Sequence, residues 1–379
     1  MKILFTQWGL PEKVDGSTQF VVEVTTELAR RGHDIAVYAG EIGSIGRGLE
    51  QRTGILVIDD PRGCPWKPDV IHGQHRIHVL KALMAFPSTP GLLYIHGFLP
   101  LLEKPFLHPR LLRYVGVAPG IANYWSDAIG IESDRFEVIL NHIDLQRFRS
   151  IREIPEKPRK ALLYANRSPS AEHLQELRNA CDAEGISLDL AGSCCGSQEQ
   201  NPESILPRYD LVFAVGRSAL EALACGCAVI PIYSGMAEEF VLPGNYDRIR
   251  NQNMAVCLNP HEKLTAGWIK SQIARWDPEA IGEVARRVRE STRLERTVDR
   301  LESLYAEMIA EAGSKPLPDM EADIESIHLF WQKDHSYRSS VRRRATEMRI
   351  RSMEKSWSWR VTTPLRWMQK SLHACLDKR

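Results

Sequence analysis

The stretch Arg208–Phe240 reads RYDLVFAVGRSALEALACGCAVIPIYSGMAEEF. Within it, Leu211 to Val215 and Cys227 to Tyr233 are short apolar runs rich in β-branched residues, the mark of strands covered on both faces. Between them, Ser218 to Cys225 has helix-forming composition, and Gly226 stands where a helix would stop. The order is strand, tight turn at Gly216, short helix, strand. A helix entered that way points its free N–H groups and positive dipole end at the sheet's carboxyl edge, a ready place for a phosphate. Glu221 lies one turn in, within reach of neighbouring hydroxyls. A second reading stands beside this one. Ser218-x-x-Glu221 is also a capping box, in which Glu221 reaches back to the Ser218 N–H.

The alternation continues outward from this stretch. Lys2 to Thr6 reads as a strand, Trp8 to Thr18 as a loop holding Gly9, Pro11 and Gly16, and Phe20 to Arg31 as a helix with Val21, Val24 and Leu28 on one face. Ile35 to Ala39 completes a βαβ unit whose loop has no G-x-G-x-x-G pattern, so a dinucleotide site is not implied. Ile55 to Ile58, Val70 to His72, Leu92 to His96, Tyr114 to Ala118 and Glu137 to Leu140 are further strand-like runs. Together they predict an α/β chain with an open parallel sheet covered by helices on both faces. His96 ends a strand just before Gly97, at the edge where such sheets bind ligands, although a histidine there also serves structure. His72, His75 and His78 fall on strand, turn and helix, and read as loop histidines rather than metal ligands.

Ser150 to Lys160 has linker composition, and Ala161 to Ala165 and Ser187 to Ala191 open a second sheet. Gly192 to Gly196 is a candidate phosphate nest or a plain turn, and Trp268 to Ala312 is helical text. Pro316 and Pro318 break the chain before a last segment that is mainly helix-forming. The expected domains are 1–150, 151–312 and a basic helical tail, 313–379.

Composition sets bounds. The 379 residues are 43% hydrophobic with a net charge of +1, which excludes an overall nucleic-acid binder. The charge is uneven, because the segment from Gln332 onward holds 13 Lys/Arg against 4 Asp/Glu. There Leu365, Met368, Leu372, Cys375 and Leu376 share one helical face, flanked by Arg366, Lys370 and tryptophans. Such a helix suits an anionic membrane surface, or a partner face of its own domain or dimer. No charge-free apolar run nears the ~20 residues a span needs. Met1-Lys2 leads into Ile3, Leu4 and Phe5 alone, which fits a buried strand better than a secretory signal. The 8 cysteines lack C-x-x-C spacing and are expected as buried thiols in a reducing cytoplasm, with no metal.

The run GRSALEALACGCAVIP resembles the nucleotide-sugar segment of GT-B glycosyltransferases of the family 4 type, written E-x7-E followed by A-x-A-x-G-x-P-V-I. In that family the second glutamate binds the donor ribose, and Glu221 matches it, while the first falls at Phe213. Gly216 and Arg217 match a variant with Gly-Arg before the helix. Asn141-His-Ile-Asp144-Leu-Gln-Arg-Phe148 is similar to the family's N-G-V-D-x-x-R-F inter-domain crossing, with His142 in place of glycine and Asn141 and Asp144 expected as turn formers. Arg167 matches the arginine of G-R-L-x-x-x-K, and Glu172 stands at its lysine. Gly16, Ser17 and Thr18 match the family's glycine loop, and His96 its histidine near the donor sugar. The run Ser356 to Trp367 resembles an S-W-R-x-T-x-P-L-R element of bacterial polysaccharide-assembly proteins.

The resemblance implies a GT-B fold, two Rossmann-like domains facing across a cleft. It implies a retaining transfer from a UDP- or GDP-linked sugar, a co-substrate rather than a cofactor, to a glycan or lipid-linked acceptor. His96 and Arg167 are the implied catalytic residues, and Gly16, Ser17, Arg167, Gly216, Arg217, Ser218 and Glu221 the implied donor contacts. Two alternatives remain open: a catalytically silent scaffold of the same fold, and a nucleotide-sugar epimerase.

Overall fold

A computed structural model of the chain describes residues 1–12, 15–98, 101–165, 169–192, 201–233, 235–255, 264–314 and 321–332. The chain divides into two compact units, Met1–Leu317 and Pro318–Arg379. In the second unit residues 321–332 are helical, and the basic run expected as a membrane-facing helix lies outside the described residues.

The first unit holds two parallel sheets. The first contains β1 (Lys2–Gln7), β2 (Asp34–Ala39), β3 (Leu56–Ile58), β4 (Val70–Gln74), β5 (Gly91–Ile95), β6 (Leu111–Gly116) and β7 (Phe136–Val138), in the order β3-β2-β1-β4-β5-β6-β7. Helices α1 (Gly16–Arg30), α2 (Ser44–Thr53), α3 (Arg76–Ala85) and α4 (Pro119–Ile129) connect them. β4 and β5 are buried along their length and β1 past Lys2, which is why they read as unbroken apolar runs rather than alternating ones.

The second sheet contains β8 (Lys160–Tyr164), β9 (Ser187–Ala191), β10 (Leu211–Phe213) and β11 (Ala228–Ile230), parallel in the order β11-β10-β8-β9. Its helices are α5 (Ala171–Ala183), the short α6 (Pro202–Ile205) and α7 (Gly216–Ala224). Ala219, Leu220, Ala222, Leu223 and Ala224 of α7 are all buried, so alanines bring the helix close to the sheet while each fully buried leucine contributes roughly 1.5–3 kcal/mol. The expected strand Cys227–Tyr233 is split at Pro231, which has no N–H for a ladder. Beyond it, β12 (Ile232–Tyr233) turns to pair antiparallel with β13 (Met236–Ala237).

Past α8 (Tyr246–Asn251), the expected single helical stretch is three helices: α9 (Ala266–Ile273), α10 (Pro278–Ser291) and α11 (Leu294–Ser314). Asp277 caps α10 through the Glu279 and Ala280 amides with Pro278 next to it, a restart signal inside apparently continuous helical text. Helix α11 returns to the first sheet. The Tyr305 hydroxyl meets His72 Nδ1 at 2.6 Å, Arg113 donates to Glu311 at 2.8 Å, and Arg300 donates to Glu137 at 2.6 and 2.7 Å.

Candidate functional site at the facing carboxyl edges

Helix α7 begins without a side-chain cap. Val215 is its N-cap residue and offers no acceptor, so the first-turn N–H groups get nothing from it. Gly216 carries the turn with φ +60° and donates its N–H to the Met254 carbonyl at 3.0 Å. The helix starts two residues earlier than the sequence suggested, so Ser218 sits inside the first turn and is not the cap. The capping-box reading is thereby corrected: Glu221 accepts from Arg217 Nε at 3.0 Å instead.

Arg217 has a second partner from the other sheet's layer. Its Nη2 donates to Oε2 of Glu23, in the middle of α1. The same Glu23 oxygen meets His142 Nε2 at 3.1 Å, and its other oxygen accepts from Gln19 Nε2 at 2.7 Å. The side chains of Glu23, Glu221 and Arg217 are only 4%, 7% and 11% exposed, so these contacts act with little screening by water. Burial pushes the Glu23 carboxyl up, but Arg217 and His142 outweigh it and bring it down to about 2. Glu221 goes the other way: burial raises it, Arg217 only partly compensates, and Glu23 adds a like charge nearby. Burial alone would weaken the Arg217 cation, and the two carboxylates hold it protonated.

The opposite edge is built from the ends of β1, β4 and β5. Asp15 is the N-cap of α1 and accepts from the Thr18 N–H at 2.7 Å and the Ser17 hydroxyl at 2.9 Å. Burial opposes the Asp15 charge, yet these donors leave its carboxyl below the usual range. Gly16 and Ser17, expected in a loop, therefore form the first turn of a helix whose start already faces a carboxylate. Gln7 Nε2, at the end of β1, reaches the Ser17 hydroxyl at 3.2 Å. His96 directly follows β5. Its Nε2 meets Gln74 Oε1 at 3.0 Å, and its backbone N–H donates to Glu103 Oε2 at 2.8 Å. Burial lowers the His96 ring to about 4, so at neutral pH it is an uncharged hydrogen-bonding group.

The three histidines expected on loops are drawn into separate contacts. His72 is fully buried and stacks on Phe5 with ring centroids 4.2 Å apart. His75 sits at φ +61°, accepts from the Trp8 N–H at 3.2 Å and faces Glu103 at 3.5 Å. His78 is held at about 4 by burial and lies against Tyr38.

Of the sequence-derived site residues, Arg217, Ser218 and Glu221 share the start of α7, and Gly16 and Ser17 share the start of α1. His96 lies close enough to both for the charges of Asp15 and Arg217 to act on its ring, and the Phe20 ring of α1 is 5.3 Å from its own and 5.4 Å from that of His142. Arg167 lies outside the described residues. Glu172 is exposed in the first turn of α5, where a carboxylate suits the dipole, and Phe213 is fully buried in the sheet. Asp144 caps its own turn by accepting from the Gln146 and Arg147 N–H groups at 2.9 and 3.2 Å. Gly192, with φ +113°, follows β9 so close to the residue after β8 that a Cβ would lie 2.1 Å from the Ala165 carbonyl oxygen.

Glu23, His142, Gln74, Glu103 and His75 were not singled out from sequence as site residues. The faint signal for Glu23 was a carboxylate one position from Val22 and Val24 on a helix with an apolar face. A cavity of about 650 Å³ borders this cluster at Glu23 and is also lined by Thr18, Gln19, Asp144, Arg147 and Glu203 among others. A second hollow, about 510 Å³, runs along α10 beside Leu145, Ile151 and Ile154 and holds none of the matched residues.

Comparison with solved structures identifies the architecture. A glycosyltransferase from Rickettsia africae superposes with a TM-score of 0.61 at 16% identity, covering 81% of this chain and 98% of that one. Sucrose-phosphate synthase from Thermosynechococcus elongatus gives 0.56 at 13% identity over 82% and 99%. The catalytic domain of starch synthase IV from Arabidopsis thaliana, solved with ADP and acarbose, gives 0.50 at 11% identity over 82% and 99%. The fold is GT-B, with two Rossmann-like sheets facing each other. No protein-family profile and no curated relative matches the chain. Among the described residues no helix is long and apolar enough to cross a membrane.

Proposed function

We propose that the chain is a glycosyltransferase that moves a sugar from a UDP- or GDP-linked donor to a glycan or lipid-linked acceptor, with retention, in bacterial surface polysaccharide assembly. The observation that carries this reading is the start of α7: an uncapped helix entered through a left-handed glycine, with Arg217 and Glu221 in its first two turns. Those N–H groups and the Arg217 guanidinium suit the donor diphosphate, and Arg167 is assigned the same task from its motif. Such donors act on the charge that develops as the nucleoside diphosphate leaves. Glu221 takes the ribose hydroxyls. His96, neutral at physiological pH, hydrogen-bonds the transferred sugar instead of contributing charge. That a starch synthase of the same fold was solved with ADP supports a nucleotide-linked donor. The basic segment 332–379 is assigned to an anionic leaflet, beside a lipid-linked acceptor, because each cation there is worth about 1 kcal/mol.

One observation favours a second reading, a catalytically silent scaffold: the Arg217 guanidinium is already engaged by both Glu221 and Glu23. Calorimetric titration of the full chain with UDP, GDP and ADP separates the two. Binding of one nucleotide, and release of free nucleoside diphosphate from its sugar conjugate only when acceptor is added, is expected of the transferase. Absence of binding to all three leaves the scaffold. Sedimentation with anionic vesicles at low and high salt, for the full chain and for residues 1–314, tests the tail. The full chain should sediment at low salt alone, and equal behaviour of the two chains removes the membrane role.

A further inference from the structure

Glu23 belongs to the first sheet's helix α1, yet its carboxylate is spent on a residue of the second sheet's helix α7. An arginine beside a single carboxylate ordinarily takes both its oxygens, through a pair of parallel N–H bonds. Here that fork is divided. Arg217 Nε bonds Oε1 of Glu221, while Nη2 bonds Oε2 of Glu23. Among the described residues, Oε2 of Glu221 accepts no hydrogen bond. Glu23 is itself fixed from two further directions, by His142 Nε2 and by Gln19 Nε2, so it is a rigid anchor and not a passing contact.

We propose that Glu23 is a positioning residue of the donor site: by holding the Nη2 arm of Arg217, it keeps Oε2 of Glu221 open for a nucleotide ribose. The inference rests on the transferase reading above, in which Glu221 binds that ribose. It means that a residue of one sheet's layer sets the donor affinity of the other, so the nucleotide site is complete only while α1 and α7 are in contact. Without Glu23, the guanidinium swings its free N–H onto Glu221 and the ribose hydroxyls must displace it. The like charge of Glu23 also raises Glu221, and that influence disappears with it.

The test is calorimetric titration of the full chain with UDP and GDP, and with the 2′,3′-dideoxy form of whichever binds. Glu23→Gln keeps the size of the side chain and removes its charge. It should raise Kd for the ribonucleotide about tenfold, the size expected when a charge-assisted hydrogen bond is lost. The dideoxy nucleotide, which offers no ribose hydroxyls, should bind wild type and Glu23→Gln alike. In an Arg217→Gln background the Glu23 change should have no further effect, since no guanidinium remains to be held. If Glu23→Gln does not fold, Glu23→Asp replaces it; the charge stays but falls short of Arg217, and the same dependence on ribose hydroxyls is expected. A folded Glu23 variant that binds both nucleotide forms as wild type does overturns the inference, and so does an equal loss for the two forms. In either case a weakened Glu221→Gln leaves the transferase reading standing. Failure of the wild type to bind UDP, GDP and ADP alike ends both together.

Discussion

Helices α1 and α7 occupy equivalent places, each entered from a strand at a sheet's carboxyl edge, and they are started in opposite ways. α1 is closed by its own carboxylate: Asp15 accepts the Thr18 N–H and the Ser17 hydroxyl. α7 begins after Val215, with no side-chain acceptor, and carries a cation in its first turn. A capped helix start gains stability and loses its attraction for anions, while an uncapped one keeps the attraction at the cost of about 1 kcal/mol of unrealised capping. Glycine at the start of a helix therefore says little about phosphate binding until the residue before it is known. Gly16 follows an acid and Gly216 a valine.

The sharpest break of this contrast is Arg217→Ala. It strands the buried carboxylates of Glu23 and Glu221 near each other, and urea unfolding at neutral pH should show a loss of about 3–5 kcal/mol. A loss below about 1 kcal/mol would mean that the cation is dispensable to the contact between α1 and α7.

Acid titration is the next largest effect. The Glu23 carboxyl sits at about 2 in the fold against 4.5 ordinarily, so the stability it confers is present above pH 4.5 and is lost as pH falls toward 2. That loss should amount to about 2–3 kcal/mol. Glu221, raised by burial, works in the opposite sense, because its protonation on acidification favours the fold. Unfolding curves between pH 2 and 6 should fall for wild type and flatten in Glu23→Gln. A wild-type curve that stays flat through this range would contradict the ion pair.

The smallest effects test the two starts directly. Asp15→Ala should cost about 1 kcal/mol and leave nucleotide binding nearly unchanged. Val215→Asp should add up to about 1 kcal/mol of stability through the new cap and weaken nucleotide binding, because it puts a negative charge where the diphosphate is assigned. Thermal unfolding and titration of both variants measure these. A Val215→Asp protein that binds nucleotide normally would place the diphosphate elsewhere.

The strands were legible in the sequence because strands covered on both faces leave unbroken apolar runs, and Leu211–Phe213 and Val70–Gln74 fall where such runs stand. Helix starts were less legible. Ser218 looked like a cap because local spacing cannot register that Gly216 already turns the chain and bonds the distant Met254 carbonyl. The site was half legible for a related reason. Arg217 and Glu221 are four residues apart, and their meeting follows from one helical turn. Glu23 lies 194 positions from Arg217, and nothing local in either helix points to the other. His142 was noticed only as a departure from glycine, and its bond to Glu23 gives that departure a use.

Helix α11 carries a consequence for how the protein is made. The first sheet is finished by residues translated near the end of the chain: Tyr305 reaches His72 across 233 positions, and Glu302 reaches Arg31 across 271. As the chain leaves the ribosome, the N-terminal sheet waits with the β4 surface that α11 will cover still bare, through synthesis of the whole second sheet. At about 5–20 residues per second that interval lasts on the order of 10–35 s, long enough for holdase chaperones to engage. A nascent chain stopped before α11 should therefore remain protease-sensitive in its first half, however completely that half has been translated.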